Sequence, residues 1–187
     1  MNTSTIVIIV IGGLLLLLVL YVIGVYNKLV NARNKVENQF SQIDIQLKRR
    51  TDLIPNLVET VKGYAKHEKG TLTEVIEARN KAVSANTVNE KIKANNELTG
   101  ALNKLFALSE AYPELKANEN FMSLQKDLKD TEDKITYARQ FYNDSANGFN
   151  NLVMMFPSNI VANMFNFKKF DYFKIDEKEK EKPEVKF

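Results

Sequence analysis

Residues Ile6 to Val25 are drawn only from Ile, Val, Leu, Gly and Tyr, and no charged side chain precedes Lys28. A helix of that length rises roughly 30 Å, the thickness of a bilayer's hydrocarbon core. The run is too long for the apolar core of a cleaved signal peptide. It lacks a basic segment before it, and it ends Tyr-Val-Ile-Gly-Val-Tyr with no small-x-small cleavage site. With no Cys in the chain, a lipoprotein anchor is excluded as well. The expectation is a retained single transmembrane helix over residues 6–26, after a short outside tail of residues 1–5.

The flanks set the expected orientation. Lys28, Arg33 and Lys35 follow the run, with Glu37 the nearby acid, whereas residues 1–5 carry no charged side chain. Basic residues stay on the cytoplasmic side of a bilayer. This predicts a cell-membrane protein with its N-terminus outside and its remaining mass cytoplasmic.

The rest of the chain is charged and of a size for one core. Its 26 basic and 23 acidic residues leave a net charge of +3 and are interleaved, which describes a solvated surface. A nucleic-acid footprint would gather the basic residues on one face, so nucleic acid is not an expected partner. The absence of Cys removes disulfides, thiolate nucleophiles and zinc-thiolate sites. His67 alone would have to serve any metal site or triad that needs a histidine. No cofactor is expected.

Helical periodicity runs through residues 27–173. Val36, Phe40, Ile43, Leu47, Ile54, Leu57, Val61 and Tyr64 are spaced by threes and fours, with Arg50 filling the vacant slot. This is the seam of a helix packed on other helices. It extends back through Arg33, Leu29 and Tyr26, so the first helix is expected to leave the bilayer without a linker and to end near Lys69, before Gly70. Pro55 removes one N–H and clashes with the Thr51 carbonyl, which predicts a kink at residues 50–54. A second helix is expected over residues 71–85, with Leu72, Val75, Ile76, Ala82 and Val83 on one side. Thr87 and Glu90 have the capping-box spacing and open a third helix over residues 88–111, whose seam is Ala94, Leu98, Ala101, Leu105, Leu108 and Tyr112. Pro113 stops it. Asn118 is a good N-cap for a fourth helix with Glu119 in its first turn. Its seam runs from Phe121 through Leu128, Thr131, Ile135, Tyr142 and Phe149 to Phe156, before Pro157. An aromatic-rich stretch follows to Phe173, and residues 174–187 form a Lys/Glu tail expected to be disordered.

Two topologies fit this pattern. One helix over residues 71–112 would give a three-helix arrangement, and a break at Asn86 gives four. A capping box would be wasted in mid-helix, which favours four. The fold expected is therefore all-α: an antiparallel up-and-down four-helix bundle with long helices, preceded by one N-terminal transmembrane helix. The summed helical rises return the end of the fourth helix to roughly 25 Å above the membrane, within reach of the bilayer for the aromatic stretch.

The segment YNKLVNARNKVENQFSQIDIQLKRRTDLIPNLVETVKGYAKHE, from Tyr26 to Glu68, resembles the LemA family. So do AYPELKANENF from Ala111, ARQFYNDSANGFNN from Ala138 and FPSNIVANMFNF from Phe156. Ile45, where Val is common, and Gly148 in mid-helix are mild departures. The resemblance implies an N-terminal span with a short outside tail and an up-and-down helical bundle. It implies no reaction, since the family has no settled biochemical activity. Its members resemble proteins often encoded beside membrane metalloproteases, which is association rather than mechanism.

Candidate special positions are few. Arg49, Arg50, Asp52, Pro55 and Asn56 form the first group. Arg50 on a seam must be paired or must snorkel out, and Asp52 and the carbonyl freed by Pro55 are candidate partners. The segment is either a surface that receives another protein or a polar lock that fixes the bundle's register. Arg33 and Arg79 also fall on seams and are read as structural. His67 is read as exposed near a helix C-terminus. Glu114, Glu119 and Asn120 are read as turn and cap residues. Phe165, Phe167, Lys168, Lys169 and Phe170 form the second group. They either lie on the membrane surface, rings at the headgroups and lysines on anionic lipid, or close the open end of the bundle.

The function expected is that of a membrane-anchored scaffold or adaptor of the bacterial cell envelope, without catalytic activity. Its partners would be the lipid bilayer, through Ile6 to Val25, and unidentified proteins. The alternatives are a regulatory partner of a membrane protease or envelope-stress system, and a self-associating protein that organises the membrane.

Overall fold

The computed structural model describes residues 2–173. The expected charged tail lies outside the described residues. Those residues form α1 (Thr3–Tyr64), α2 (Lys69–Ser84), α3 (Val88–Ser109), α4 (Pro113–Lys116), α5 (Glu119–Met154) and α6 (Ser158–Met164), and they contain no strand. The fold is all-α, as the periodicity predicts.

The apolar run and the first bundle helix are one element, because α1 continues from Thr3 through Pro55 to Tyr64. Its most apolar 18-residue window has a mean hydropathy of 3.3 and none of it is buried. From Ile6 to Leu20 the large side chains are 45–70% exposed. Among the described residues, one helix is thus long and apolar enough to cross a membrane.

The described residues fall into two compact units: residues up to Gln39 with Phe141–Tyr172, and Phe40–Gln140 with Phe173. In the second unit, four long helical segments, with the short α4 in the connection between α3 and α5, make the antiparallel bundle. Its core gathers Ile54, Leu57, Val58 and Val61 of α1, Leu72, Val75 and Ala78 of α2, and Leu98, Leu102 and Leu105 of α3. Leu115 of α4 and Phe121 and Leu128 of α5 complete it. Ile76 and Val83 remain exposed. The second helix therefore turns Ala78, rather than those two, inward.

The break at Asn86 is real. Thr87 Oγ1 accepts the Glu90 N–H at 3.2 Å, while Glu90 Oε2 accepts the N–H groups of Asn86 at 2.9 Å and Thr87 at 3.1 Å. Those bonds, Asn86 first and then Thr87, hold the Glu90 carboxyl below its ordinary value. A carboxylate acidified by folding stabilises the folded chain above the unfolded value and loses that effect as pH falls through the folded value. In thermal melts, the gap in midpoint between the wild type and Glu90→Gln is expected to be full above pH ~5 and to shrink below the ordinary Glu range near ~4.3.

Three boundaries differ from expectation. The helix α1 stops at Tyr64, and Gly70 lies inside α2 instead of ending α1. Ala65 is buried at the corner, and Glu68 N–H donates to the Ala65 carbonyl at 3.1 Å. Tyr112 Oη donates to Glu68 Oε1 at 3.1 Å, and Asn118 Nδ2 donates to Tyr64 Oη at 2.9 Å. Packing of Ala65 and these two ties end the helix at Tyr64, the last residue of its apolar seam, and residues 66–70 carry no apolar side chain to prolong it. Second, Pro113 does more than stop α3: it occupies the first turn of α4, a position where its missing N–H costs nothing. Asn118 then caps α5 by accepting the Phe121 N–H at 3.0 Å. Third, α5 ends at Met154, so Phe156 falls beyond the seam and is 78% exposed.

In the first unit, Leu29 and Val36 of α1 are buried, as are Tyr142, Ala146 and Phe149 of α5 and Val161 and Ala162 of α6. With fewer elements here than in the four-helix unit, the buried stripe on α1 is narrow. Arg33 accordingly sits outside it, exposed and paired with Glu37 at 2.8 Å, rather than on the seam. Two residues past the end of α6, Asn166 lies at φ 57°, a backbone conformation that Asn tolerates well. Phe167 N–H reaches the Ala162 carbonyl at 2.9 Å and Asn166 N–H the Asn163 carbonyl at 3.2 Å. That is a Schellman closure, and it turns the chain into a strap over residues 165–172.

Gly148 lies within α5 with nothing near the position of an added Cβ. Alanine there removes backbone entropy from the unfolded chain at no steric cost. Gly148→Ala is expected to stabilise by about 0.5–1 kcal/mol, read as a higher thermal midpoint.

Candidate functional site

Proline at position 55 leaves the Thr51 carbonyl without its helical donor. That carbonyl is taken up from a neighbouring helix: Arg79 Nε of α2 donates to Thr51 O at 3.0 Å. The residue before Thr51, Arg50, is almost fully buried, with 4% of its side chain exposed. Its Nη1 donates to Asn95 Oδ1 of α3 at 2.6 Å and pairs with Glu132 of α5. Two arginines at adjacent levels thus bind all four bundle helices through polar groups. Burial holds the Arg50 guanidinium below its ordinary value; Glu132 opposes that and nearby Arg139 adds to it.

The partners differ from those the sequence suggests. Asp52 pairs with Lys48, at 2.9 Å and one helical turn away, and not with Arg50. The freed carbonyl goes to Arg79 rather than Arg50. Asn95 and Glu132 were not singled out, yet each follows a seam residue, Ala94 and Thr131, that is itself buried. A polar residue one step off a seam, level with a seam arginine, is the signal that finds them.

The remaining members of the first candidate group face solvent. Arg49, Asp52 and Asn56 lie at three- and four-residue spacing on the exposed side of α1, with Pro55 beside them also exposed. Around the corner, Asp44, Lys48, Asp52, Arg79, Val83 and Lys91 line an open groove of about 500 Å³. Lys91 Nζ spans it to both Asp44 oxygens at 2.7 Å and lies 5.0 Å from the centre of the Phe40 ring. His67 is exposed in the turn after α1, and Glu114, Glu119 and Asn120 are exposed around α4. Among the described residues no group of three or more His, Asp or Glu side chains is placed to hold a metal ion.

The second candidate group lies on and beside the strap. Phe167 is half-buried, 5.9 Å from Tyr26 and 6.2 Å from Phe149, centre to centre. Phe170 stacks edge-on to Phe149 at 5.3 Å. Its backbone is held at both ends by Asn150, whose Nδ2 donates to Phe170 O and whose Oδ1 accepts Phe170 N–H, each at 2.9 Å. Tyr142 Oη donates to Asp171 O at 3.0 Å. Phe165 is 47% exposed and rests on Tyr26 at 4.7 Å. Lys168 and Lys169 are exposed.

An apolar helix of membrane-spanning length that runs unbroken into an all-α bundle, pinned by a buried arginine, defines a membrane-associated helical-bundle protein. Residues 39–187 match the model of the LemA family, and the chain belongs to that family. It is 28% identical to Protein LemA of Metamycoplasma hominis over 84% of this chain and 73% of the relative. It is 24% identical to Magnetosome protein MamQ of Magnetospirillum gryphiswaldense over 79% of this chain and 64% of the relative. Magnetosome protein MamQ 2 of Paramagnetospirillum magneticum matches to the same extent. The chain therefore spans less than two thirds of the MamQ proteins.

Proposed function

We propose that this chain is a non-catalytic scaffold or adaptor, held in the cell membrane by residues 6–26 and presenting its bundle to other proteins on the cytoplasmic side. The observation that carries this reading is the apolar run, none of whose most apolar window is buried, continuous with the bundle's first helix. Exposed Ile, Leu and Val along about twenty residues would be untenable in water and are the natural face of a span. Lys28, Arg33 and Lys35, set against uncharged residues 2–5, support the orientation. The relatives named for the magnetosome support a membrane-associated setting.

The contacts that these polar groups make with one another support a binding role over a chemical one. Arg50, Asn95 and Glu132 face one another, and Arg79 is committed to a backbone carbonyl. The outward row Arg49, Asp52 and Asn56 is what a partner would meet. Whether that partner is a membrane protease, another envelope protein or a second copy of the chain is read by the same experiment.

Full-length protein is crosslinked in intact membranes and then captured from mild detergent, in wild-type and Arg49→Glu/Asn56→Ala forms. The expected result is one heterologous crosslinked species, lost in the double variant with its thermal midpoint unchanged. A ladder of self-crosslinks would replace the adaptor by a self-assembling membrane organiser. Substrate turnover by the purified protein, abolished by a single polar substitution, would overturn the non-catalytic reading.

A further inference from the structure

The apolar surface of the first unit does not end with the span. Met154, Met155, Phe156, Ile160, Met164 and Phe165, at the corner from α5 through α6, are 47–78% exposed. Four of these are long or aromatic side chains at more than half exposure, a concentration unusual for a surface facing water. Their position along the span can be read from Tyr26. The apolar run fills the hydrocarbon core over residues 6–25, so Tyr26 stands at the boundary with the headgroups. Phe165 lies against the Tyr26 ring at 4.7 Å and Phe167 at 5.9 Å. Val22 and Val25 are also the first residues of the run to lose part of their exposure. Phe165, at the end of the corner, is therefore level with the last turn of the span.

We propose that this corner is a second membrane contact, a wedge formed by the end of α5 and by α6 that lies in the lipid interface beside the transmembrane helix. The inference rests on the anchored reading above. Its occupant is the bilayer because the patch is continuous with the span through Tyr26, and because Lys168 and Lys169 follow it, exposed, where anionic headgroups would lie. Methionine and phenylalanine side chains here bury apolar surface at the acyl boundary, as the apolar face of an interfacial helix does. The strap's closure on Asn166 and the Asn150 clamp on Phe170 hold the wedge at a fixed depth.

The chain has no Trp, so a single introduced indole reports one place. Phe156→Trp, Met164→Trp and Leu16→Trp are each made in the full-length protein. Each is reconstituted into phosphatidylethanolamine–phosphatidylglycerol vesicles, with or without lipids brominated on the acyl chain. The wedge predicts blue-shifted emission at 156 and 164 and a loss of fluorescence with brominated lipid comparable to that at Leu16→Trp. Unquenched emission at both positions, open to aqueous iodide, would overturn it. Emission shielded from iodide yet untouched by brominated lipid would also overturn it, and would point to a protein covering the corner. An unquenched Leu16→Trp would overturn the anchored reading, and the wedge with it. Quenching at 16 alone overturns only the wedge.

Discussion

Glu132→Ala is expected to destabilise the bundle by about 3–5 kcal/mol, more than removal of the arginine it faces. The asymmetry follows from exposure. Arg50 keeps 4% of its side-chain surface and Glu132 keeps 31%. Without Glu132, the guanidinium remains buried beside Arg139 with only the neutral Asn95 oxygen to face it. Without Arg50, as in Arg50→Met, the carboxylate reaches water directly, and a side chain of similar reach fills the core. The main remaining loss is the hydrogen bond to Asn95, about 1–3 kcal/mol for an acceptor left buried. Adding Glu132→Ala to Arg50→Met should then cost little further, so the two effects are strongly non-additive. Thermal unfolding in detergent reads all three variants, and at 2–4 °C per kcal/mol the Glu132→Ala midpoint falls by roughly 10 °C. A Glu132→Ala midpoint within a degree or two of wild type would mean that the arginine is sustained by something other than this pair.

How far such a cluster can be read from sequence depends on the range of its interactions. The capping box at Thr87 and Glu90 and the cap at Asn118 are contained within four residues, and both are found where the spacing predicts. So is the exposure of the apolar run, which composition alone decides. Arg50 stands out because a seam slot cannot hold an unpaired charge. Its partners lie 45 and 82 positions on, in helices whose rotation the period fixes only to within a neighbouring residue. The sequence does contain the fact that removes Asp52 from contention: Lys48 is four residues away, the spacing of an i,i+4 ion pair. The corner at residues 65–68 is harder to place. The apolar seam stops at Tyr64 and the nearest stop signal after it is Gly70, so only the inward packing of Ala65 and the bonds from Tyr112 and Asn118 show that the helix ends at Tyr64 itself. Arg33 illustrates the limit of a seam argument, since the same heptad slot is buried in a four-helix layer and exposed where fewer elements surround it.

The strap offers the other large effect, confined to the first unit. Asn150 is 2% exposed and spends both halves of its amide on the backbone of Phe170. Asn150→Ala leaves a donor and an acceptor of a half-buried residue without partners, at about 2–3 kcal/mol in all. The Phe149 and Tyr26 rings still favour the docked strap, so the loss appears as local opening of the strap and not as global unfolding. Because 1.4 kcal/mol is a tenfold change in an equilibrium, tryptic cleavage after Lys168 and Lys169 should quicken on the order of a hundredfold, while the thermal midpoint moves only a few degrees. Tyr142→Phe provides the scale. It removes the bond to the Asp171 carbonyl while keeping the ring, and should quicken cleavage by about tenfold or less. Equal cleavage rates in Asn150→Ala and wild type would show that the aromatic rings alone hold the strap down, and the amide clamp would lose its role in fixing the depth of the α5–α6 corner.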